Sequence, residues 1–390
     1  MSSNGRHDPS SDEWICAHLG DDYTDRKGSV SPPIYQSSTH VFESVEAMAA
    51  RRGVQRPFTG KRTYFYGRDG NPTVEILEDK LAALEKTDGC LCFGSGMAAI
   101  TSTVMHCLKP GDHAVVTERS YGSHFFSGLL ADFGVEHTAV KGTSVDEFDA
   151  STRENTRFYY LESPVGSDYS IQNLAEVAKL AQSRGIITAI DNTWATPIHQ
   201  KPHTFGIDLV IHSMSKYIGG HSDIIGGAVT GRWEHITPLA RVRSTYGGIL
   251  HPQEGYLALR GLRTLPVRMR AHAQNGMSVA RYLERDASIV KVNFPGLESH
   301  PQHELAKQQM LGFSSLMSIS MNAPVEKAWA FVNALRLFKI GVSWGGNESM
   351  FIKPRTLKQD ERLAGTRMFV GLDNIDELLE DLEHALRLLR

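Results

Sequence analysis

Residues 212–217 have the sequence His-Ser-Met-Ser-Lys-Tyr and continue an apolar stretch, 208–212, that is typical of a buried strand. A second apolar stretch, 186–191, ends at Asp191, which lies twenty-five residues before Lys216. The lysine is therefore expected on a turn after one strand, with a carboxylate at the end of the strand before it. A reactive amine, two serine hydroxyls and a carboxylate are thus predicted at neighbouring strand ends.

These residue types suit pyridoxal phosphate, which carries an aldehyde, a pyridine nitrogen and a phosphate. The amine of Lys216 can condense with the aldehyde to form a Schiff base. The carboxylate of Asp191 can pair with the protonated pyridine nitrogen, which keeps the ring an electron sink. The hydroxyls of Ser213 and Ser215 can bind phosphate oxygens. The sequence therefore predicts a pyridoxal phosphate enzyme.

Strand and helix patterns alternate between residues 73 and 212. The predicted strands are 89–93, 113–118, 135–141, 157–162, 186–191 and 208–212, and the predicted helices are 73–84, 97–108, 123–133 and 173–183. This alternation predicts an α/β fold with a mainly parallel sheet covered by helices on both faces. Glu162, Asp191 and His212 each end a strand, and ligands bind at the carboxyl ends of such strands.

The chain divides into three predicted parts. Residues 1–60 are an irregular N-terminal arm with one short helix at 45–52, and residues 61–250 form the cofactor-binding α/β domain. Residues 251–390 form a smaller α+β domain. Its predicted elements are a long helix over 252–285 interrupted near Gly261, strands at 289–294 and 316–321, a helix at 325–335 and an amphipathic terminal helix.

Bulk composition excludes several classes of protein. The chain has 390 residues, 41% hydrophobic and 22% charged, as in ordinary globular proteins. Its net charge of −3 provides no basic surface for nucleic acid. Residues 1–14 are polar and do not resemble a secretory leader, and no apolar run approaches the ~20 residues that span a bilayer. A cytoplasmic protein without nucleic-acid or membrane partners is expected.

The four cysteines do not predict a disulfide framework or a metal site. Cys90 and Cys92 lie in an apolar run and would point to the same side of a strand. No second pair of cysteines or histidines lies at zinc-site spacing. Two buried thiols are expected, and no metal.

A competing motif lies earlier in the chain. Residues 94–99, Gly-Ser-Gly-Met-Ala-Ala, match the dinucleotide-binding pattern G-x-G-x-x-A, and Glu118 ends the next strand. A nicotinamide oxidoreductase is therefore an alternative. However, a glycine turn at a helix N-terminus presents backbone amides to any phosphate. The nicotinamide interpretation also leaves Asp191 and Lys216 without a role.

From about residue 30 to its end, the chain resembles the Cys/Met-metabolism family of pyridoxal phosphate enzymes, which includes cystathionine β-lyase, cystathionine γ-synthase and methionine γ-lyase. The motifs that carry the resemblance are Tyr66-Gly67-Arg68-Asp69-Gly70-Asn71-Pro72-Thr73, Ser95-Gly96-Met97-Ala98-Ala99, Ser120-Tyr121-Gly122, Glu162-Ser163-Pro164, Asp191-Asn192-Thr193-Trp194-Ala195, Gly219-Gly220-His221-Ser222-Asp223, Arg260-Gly261-Leu262-Arg263-Thr264-Leu265 and Ser343-Trp344-Gly345-Gly346. Trp194 and Trp344 look most like those of bacterial cystathionine β-lyases. The resemblance implies the fold-type I architecture, with a seven-stranded sheet.

The resemblance also implies roles for the cofactor-binding residues. Lys216 would hold the cofactor and move protons, Asp191 would pair with the ring nitrogen, and Tyr121 would stack on the ring. The other implied cofactor contacts are Thr193, the backbone of Gly96 and Met97, the hydroxyls of Ser213 and Ser215, and Tyr66 and Arg68 from a neighbouring subunit. Tyr66 and Tyr121 are expected to be catalytic together with Lys216. Because the site is shared, a homodimer, paired into a homotetramer, is expected, with the N-terminal arm contacting the neighbour.

The substrate would be held by residues near the C-terminus. The resemblance assigns the substrate carboxylate to Arg367, a bidentate role suited to guanidinium. Ser343 and Trp344 are expected to line the same site, and so are Val342 and Asn347, where β-lyases often carry larger aromatic residues. A smaller, more polar pocket indicates a substrate other than cystathionine, including one that needs γ-elimination.

The sequence therefore favours a pyridoxal phosphate-dependent carbon–sulfur lyase of cystathionine β-lyase type. It would release ammonia and a 2-oxo acid from an amino acid. The alternative is a γ-lyase acting on methionine, cystathionine or an oxygen-linked homoserine-like substrate such as canavanine. A γ-synthase ranks third, and the nicotinamide oxidoreductase is the remote alternative.

Overall fold

The computed structural model describes residues 8–21, 26–50 and 63–390. The helices are α1 (Asp12–His18), α2 (Val45–Ala50), α3 (Pro72–Glu85), α4 (Gly96–Cys107), α5 (Ser123–Ser127), α6 (Leu129–Asp132), α7 (Val145–Ser151), α8 (Leu174–Ser183), α9 (Thr196–His199), α10 (Trp233–Tyr246), α11 (Pro252–Arg263), α12 (Leu265–Glu284), α13 (His303–Gln309), α14 (Val325–Ala334) and α15 (Ile375–Leu386), with a 3₁₀ turn at Pro202–Phe205. The strands are β1 (Gly89–Phe93), β2 (His113–Thr117), β3 (Glu136–Val140), β4 (Thr156–Glu162), β5 (Ile187–Asp191), β6 (Leu209–Ser213), β7 (Gly227–Gly231), β8 (Ile289–Asn293), β9 (Leu316–Met321), β10 (Lys339–Ile340), β11 (Met350–Phe351), β12 (Arg355–Leu357) and β13 (Asp360–Phe369). The last two residues of the helix predicted at 45–52, and residues 1–7, 22–25 and 53–62 of the predicted arm and domain start, lie outside the described residues.

The main sheet has seven strands in the order β1-β7-β6-β5-β4-β2-β3. Strands β6, β5, β4, β2 and β3 pair in parallel, whereas β7 is antiparallel to both β6 and β1. The predicted mainly parallel, seven-stranded sheet is confirmed. Glu162 pairs with Asp191, and Asp191 pairs with Ile211, so the ends of β4, β5 and β6 lie at one edge. This edge carries the chemistry predicted from the sequence.

Both faces of this sheet are covered, as the side chains of β4 illustrate. Phe158 and Tyr160 belong to a core shared with α4 and α10, and Tyr159 and Leu161 belong to a separate core shared with α7 and α8. All four side chains are fully buried, and each such burial stabilises the fold by about 1.5–3 kcal/mol. Successive side chains of a strand point to opposite faces of the sheet. Because both sets are apolar in β4, helices pack on both faces.

A second sheet follows in the order β10-β11-β13-β9-β8, with β12 paired to β13. A continuous hydrophobic core joins it to α3, α12 and α15. The indole nitrogen of Trp194 donates to the carbonyl of Leu316 at 3.1 Å, and the Gln309 amide donates to the carbonyl of Gln172 at 2.9 Å. These contacts hold the C-terminal segments against the main sheet. The boundaries at residues 60 and 250 stay predictions.

Two predicted helices are divided in the structure. The helix predicted at 123–133 is broken at Gly128, so that α5 and α6 are separate short turns. The long helix at 252–285 breaks at Thr264 rather than at Gly261, because Pro266 lies in the first turn of α12 and favours a helix start. Gly261 instead allows a close approach, since a Cβ there would lie 2.2 Å from the carbonyl oxygen of Gly219. The described helices include none that is long and apolar enough to cross a bilayer.

Candidate active site

Lys216 lies on a tight turn after β6. Its amide donates to the carbonyl of Ser213 at 3.2 Å, and its own carbonyl accepts from Gly220 at 2.7 Å. The side-chain amine donates to the Ser343 hydroxyl at 3.1 Å and lies 5.7 Å from the ring centroid of Trp344. Burial, aided by the nearby charge of Arg367, lowers the pKa of the Lys216 amine, although Asp191 opposes the shift. The unprotonated amine, which is the nucleophilic and basic form, is therefore easier to form than in an ordinary lysine.

The turn that carries Lys216 is held by contacts with two segments that are distant in the sequence. Buried Arg268 donates to the carbonyls of Tyr217 at 2.7 Å and Gly261 at 2.8 Å. Gly345 has a φ of +89°, and a Cβ there would lie 2.8 Å from the Lys216 Cα. Only glycine combines that backbone conformation with so close an approach. The 343–346 loop therefore lies directly against the lysine turn, although it comes from the other end of the chain.

Asp191 is 5% exposed at the end of β5. Its Oδ1 accepts from the amide of Thr193 at 2.9 Å and from the Thr193 hydroxyl at 2.5 Å. The same hydroxyl accepts from the amide of Ser213 at 2.8 Å, so Thr193 joins Asp191 to the start of the lysine turn. Burial raises the pKa of Asp191, and the Thr193 hydrogen bonds oppose this most strongly, followed by His212 and Lys216. A positively charged group facing Asp191 would favour its ionised form further.

The N-terminus of α4 forms a cradle for an anion. The Ser95 side chain caps the helix by accepting from the Ala98 amide at 3.0 Å. Among the described residues, the amides of Gly96 and Met97 have no acceptor. A Cβ at Gly96 would lie 3.0 Å from the Ser213 Cβ, so only a glycine leaves space for a ligand against the serine turn. Unpaired amides at a helix N-terminus beside hydroxyls fit a phosphate.

Ser215 supports the same turn. Its hydroxyl accepts from the amide of Gly226 at 3.1 Å, and the amide of Met214 donates to the carbonyl of Gly226 at 2.9 Å. These two bonds connect the lysine turn to Gly226, which directly precedes β7. Strand β7 was not predicted from the sequence. The structure thus places Gly96 against Ser213, with Ser215 two residues further along the same turn.

Tyr121 lies at the rim of the same edge with half of its side chain exposed. Burial of the remainder, together with the charges of Asp191 and Glu162, raises the pKa of its hydroxyl. Its amide donates to the carboxylate of Glu162, and its carbonyl accepts from the Tyr160 hydroxyl at 2.9 Å. Sequence reasoning placed Glu162 at a strand end but assigned it no role. Glu162 and Asp191 end neighbouring parallel strands, and this shared position could have indicated from the sequence that Glu162 belongs to the site.

The predicted substrate residues fall into two groups. Ser343 contacts Lys216, Trp344 packs edge-on against Tyr217 with 5.5 Å between ring centroids, and the Arg367 guanidinium donates to the carbonyl of Val342 at 2.6 Å. The Val342 side chain itself is 80% exposed, and Asn347 is also exposed within one chain. Val342 therefore contributes to this site through its main chain, by positioning Arg367. The roles of its side chain and of Asn347 stay predictions.

Tyr66 and Arg68 lie on an exposed loop that pairs with the N-terminal segment. The Gly67 amide donates to the carbonyl of Ser38 at 2.9 Å, and Tyr66 forms a bridge with Thr39. The Arg68 guanidinium lies 5.4 Å from the Tyr66 ring centroid. The described contacts of these two side chains do not include Lys216, so their predicted action in a neighbouring subunit's site stays a prediction.

The structure also places the glycine turn of the dinucleotide-binding interpretation and the cysteines considered for a metal site. Strand β1, which precedes the glycine turn, is an edge strand paired antiparallel to β7, unlike the parallel strand of a dinucleotide-binding unit. Cys90 and Cys92 are buried in the core beside α3. Within residues 8–21, 26–50 and 63–390, His, Cys, Asp and Glu side chains form no group that could hold a metal ion.

Comparison with known proteins gives consistent findings. Residues 14–387 match the family described as Cys/Met metabolism PLP-dependent enzyme. The chain is 36% identical to an L-methionine γ-lyase of Fusobacterium nucleatum subsp. nucleatum, covering 92% of this chain and 94% of the relative. It is 36% identical to a cystathionine γ-lyase of Bacillus subtilis, covering 95% and 98%. The crystal structure of cystathionine γ-synthase from Xanthomonas oryzae pv. oryzae, in complex with aminoacrylate and cysteine, superposes with a TM-score of 0.89 at 33% identity, covering 97% and 98%.

Proposed function

Because this chain belongs to the Cys/Met metabolism PLP-dependent enzymes, we propose that it is a lyase that removes a γ-substituent from a sulfur-containing amino acid. The family resemblance, the fold-type I architecture and the pyridoxal phosphate dependence inferred from the sequence are confirmed. The nicotinamide alternative is wrong, because the glycine turn belongs to a pyridoxal phosphate enzyme and follows an antiparallel edge strand rather than a strand of a parallel βαβ unit.

The observation that carries the γ-elimination proposal is the set of relatives named above. They are two γ-lyases and a γ-synthase, matched over more than nine-tenths of the chain. The sequence favoured a β-lyase, partly on Trp194. In the structure, Trp194 is 4% exposed and packs between Tyr169 and Phe294. A core tryptophan carries no information about the substrate, and this removes one argument for β-elimination.

The site residues fit the cofactor that the family uses. The Gly96 and Met97 amides with the Ser213 and Ser215 hydroxyls would hold the phosphate, as argued above for the cradle. Asp191 would hold the ring nitrogen, Tyr121 the ring face, and Lys216 the aldehyde carbon through its amine. When bound, pyridoxal phosphate supplies a ring that accepts electron density from the carbon next to the substrate amine.

Proton transfer and substrate binding are carried out by side chains of this protein. Once released from the cofactor, the Lys216 amine takes the proton from the substrate Cα. Loss of a γ-substituent requires a second proton to leave Cβ. The same amine can remove it only after it has returned the first proton to another atom of the substrate–cofactor unit, and the departing sulfur then takes up a proton. The Ser343 hydroxyl accepts a hydrogen bond from this amine at 3.1 Å and so restricts where the amine can lie. Arg367, held by the Val342 carbonyl, binds the substrate carboxylate.

A homodimer that shares its sites, paired into a homotetramer, is part of the proposal. The described part of the arm has exposed apolar side chains, including Val41 at 96% and Val45 at 77% exposure. Exposed apolar residues on an extended arm are typical of an interface. Tyr66 and Arg68, on the loop paired to that arm, would then reach the neighbour's phosphate.

The experiment that tests the function identifies the 2-oxo acid formed from cystathionine, methionine and canavanine by the purified, cofactor-loaded protein. We expect a four-carbon product, 2-oxobutyrate, from at least one of the sulfur substrates, with the corresponding thiol. Pyruvate and homocysteine from cystathionine would establish β-elimination and overturn the proposal. Cystathionine formed from an activated homoserine ester and cysteine, without 2-oxo acid release, would instead indicate the synthase.

The Arg367→Lys variant is expected to raise KM for the amino acid about tenfold or more while kcat falls less. Lysine keeps the charge but loses the planar, bidentate geometry that a carboxylate requires, and it loses the bond to the Val342 carbonyl. Steady-state kinetics with the best substrate measure this split. The exposed Arg362, which pairs with Asp360 on the same strand, gives the matched control Arg362→Lys. Equal KM values in the two variants would contradict the assignment.

A further inference from the structure

The main chain of Tyr121 is bound on both sides by one strand. Its amide donates to the carboxylate of Glu162, and its carbonyl accepts from the Tyr160 hydroxyl at 2.9 Å. Tyr160 and Glu162 are two residues apart on β4, so their side chains point to the same face of the sheet. Side chains of β4 thus form hydrogen bonds with both the amide and the carbonyl of Tyr121, which lies in a loop.

The loop itself adds one main-chain hydrogen bond across Tyr121, from the Ser123 amide to the Ser120 carbonyl at 3.0 Å. The residue lies between a turn closed by the bond from the Ser120 hydroxyl to the Thr117 carbonyl, at 2.7 Å, and the five-residue helix α5. Gly122, which follows it, has a φ of +82° and provides no side-chain cap for α5. The Tyr121 side chain is half exposed, so packing alone does not set its direction. The two hydrogen bonds from β4 are therefore the contacts that bind the amide and the carbonyl of Tyr121 itself.

The two groups that provide the restraints are themselves rigid. Tyr160 is fully buried, and its ring lies 5.4 Å from that of Phe126 and 6.5 Å from that of Phe158. Glu162 ends β4 in register with Asp191 on β5. Burial and the neighbouring charge of Asp191 raise the pKa of Glu162, and the hydrogen bond from the Tyr121 amide opposes this shift. The position of Tyr121 is thus coupled to the strand beside the one that ends in Asp191.

We propose that Glu162 and Tyr160 are positioning residues that hold the Tyr121 ring over the cofactor by binding the amide and the carbonyl of its main chain. The proposal rests on the assignment of Tyr121 to the cofactor ring. Neither Glu162 nor Tyr160 needs to touch the cofactor or the substrate for this role. Their removal would loosen the stacking ring and leave the lysine, the phosphate cradle and Asp191 in place.

The test compares Tyr160→Phe, Glu162→Ala and Glu162→Gln, with Tyr159→Phe as the matched control. Tyr159 is the preceding residue of the same strand, but its hydroxyl bonds to Thr152 at 2.5 Å on the opposite face. The readouts are the dissociation constant for pyridoxal phosphate, the circular dichroism of the visible cofactor band and kcat. The dichroism reports the asymmetry around the ring, which a purely structural defect elsewhere would not change.

We expect Tyr160→Phe to raise the cofactor dissociation constant by about 2–10-fold, the range for one neutral hydrogen bond. Glu162→Ala should raise it by a similar factor of about 2–10, since this variant also loses one hydrogen bond to the Tyr121 main chain. Both should weaken the dichroism, whereas Glu162→Gln, which keeps an acceptor for the Tyr121 amide, should restore most of the affinity lost in Glu162→Ala. Tyr159→Phe should match the wild type in both readouts.

Three outcomes would overturn the proposal or its premise separately. If Tyr160→Phe and Glu162→Ala both behave like Tyr159→Phe while Tyr121→Ala weakens cofactor binding, the restraint from β4 is not needed and the positioning role is wrong. If Glu162→Gln is as impaired as Glu162→Ala, an oxygen that accepts from the Tyr121 amide is not sufficient, which also overturns the proposal. If Tyr121→Ala itself leaves the dichroism intact, the assignment of Tyr121 fails instead.

Discussion

The Lys216→Ala variant is expected to lose turnover by about 10⁴-fold or more, because one amine supplies both the covalent attachment of the cofactor and the base. The amine is placed for both roles, since it lies among Ser343, Trp344 and the charge of Arg367 and its burial lowers its pKa. Release of the 2-oxo acid measures turnover. The visible absorption of the bound cofactor, which borohydride bleaches in the wild type, should change as well.

The fold should tolerate this substitution. The Lys216 side chain makes one hydrogen bond, to the Ser343 hydroxyl, and a bond of this kind contributes about 1 kcal/mol. The main chain of the turn is held independently by Arg268. Lys216→Arg is the matched control, because it keeps a cation that can bond to Ser343 but stays protonated near neutral pH. Turnover above about one hundredth of the wild-type rate in either variant would contradict the role of Lys216, given the 10²–10⁴-fold contribution of a positioned base.

The pH dependence has a defined direction. Lys216 acts in its unprotonated form, so activity should fall as the pH decreases through the lysine pKa. Because burial and Arg367 lower that pKa, this loss should occur at lower pH than for an ordinary lysine. A profile of kcat against pH measures the pH at which this loss of activity occurs.

The strand ends that carry the chemistry were predictable from the sequence because the signals are local. Apolar runs ending at Glu162, Asp191 and His212 coincide with the ends of β4, β5 and β6 to within one residue. Parallel strands bring their carboxyl ends to one edge, so the order of the chain is enough to place the lysine beside its carboxylate partner. The glycine turn at Gly96 was recognisable for the same reason.

Other features depend on contacts between distant parts of the chain, which no local pattern records. Strand β7 is a five-residue segment bounded by glycines, and its antiparallel place beside β6 follows from the return of the chain after the lysine turn. The approach of Gly345 to Lys216 joins residues more than 120 positions apart. Gly128 looked compatible with one continuous helix, yet the chain turns there with φ −108° and ψ −106°.

Substrate preference was the least predictable part. Trp194 was a marker of the family but proved to be a core residue bonded to the carbonyl of Leu316. Val342 was chosen for its side chain, whereas the contact in the structure is made by its carbonyl with Arg367. Residues that line a substrate can act through their main chain, and motif comparison reports only side chains.

The Asp191→Asn variant is expected to lower kcat by about 10²–10⁴-fold, which corresponds to about 3–5 kcal/mol of lost transition-state stabilisation, the size of the effect of removing one partner of a buried charge pair. Asparagine keeps an oxygen for the Thr193 amide and hydroxyl, so the local hydrogen bonds should survive. It cannot carry the negative charge that keeps a proton on the facing ring nitrogen. The cofactor should therefore bind more weakly and accept electrons less well. Steady-state turnover at saturating cofactor and a cofactor titration separate these two effects.

Asp208→Asn is the matched control for Asp191→Asn, because Asp208 accepts from both the amide and the hydroxyl of Thr188, each at 2.9 Å. The two aspartates thus make the same pair of bonds to a threonine, but Asp208 directly precedes β6, at the opposite edge of the sheet from Asp191. A loss of stability common to both variants would measure the structural part of the substitution. Only Asp191→Asn should lose turnover. Equal turnover in the two variants, with cofactor bound, would show that the charge of Asp191 does not support the reaction, and the ring-nitrogen role would have to pass to another acid at that edge.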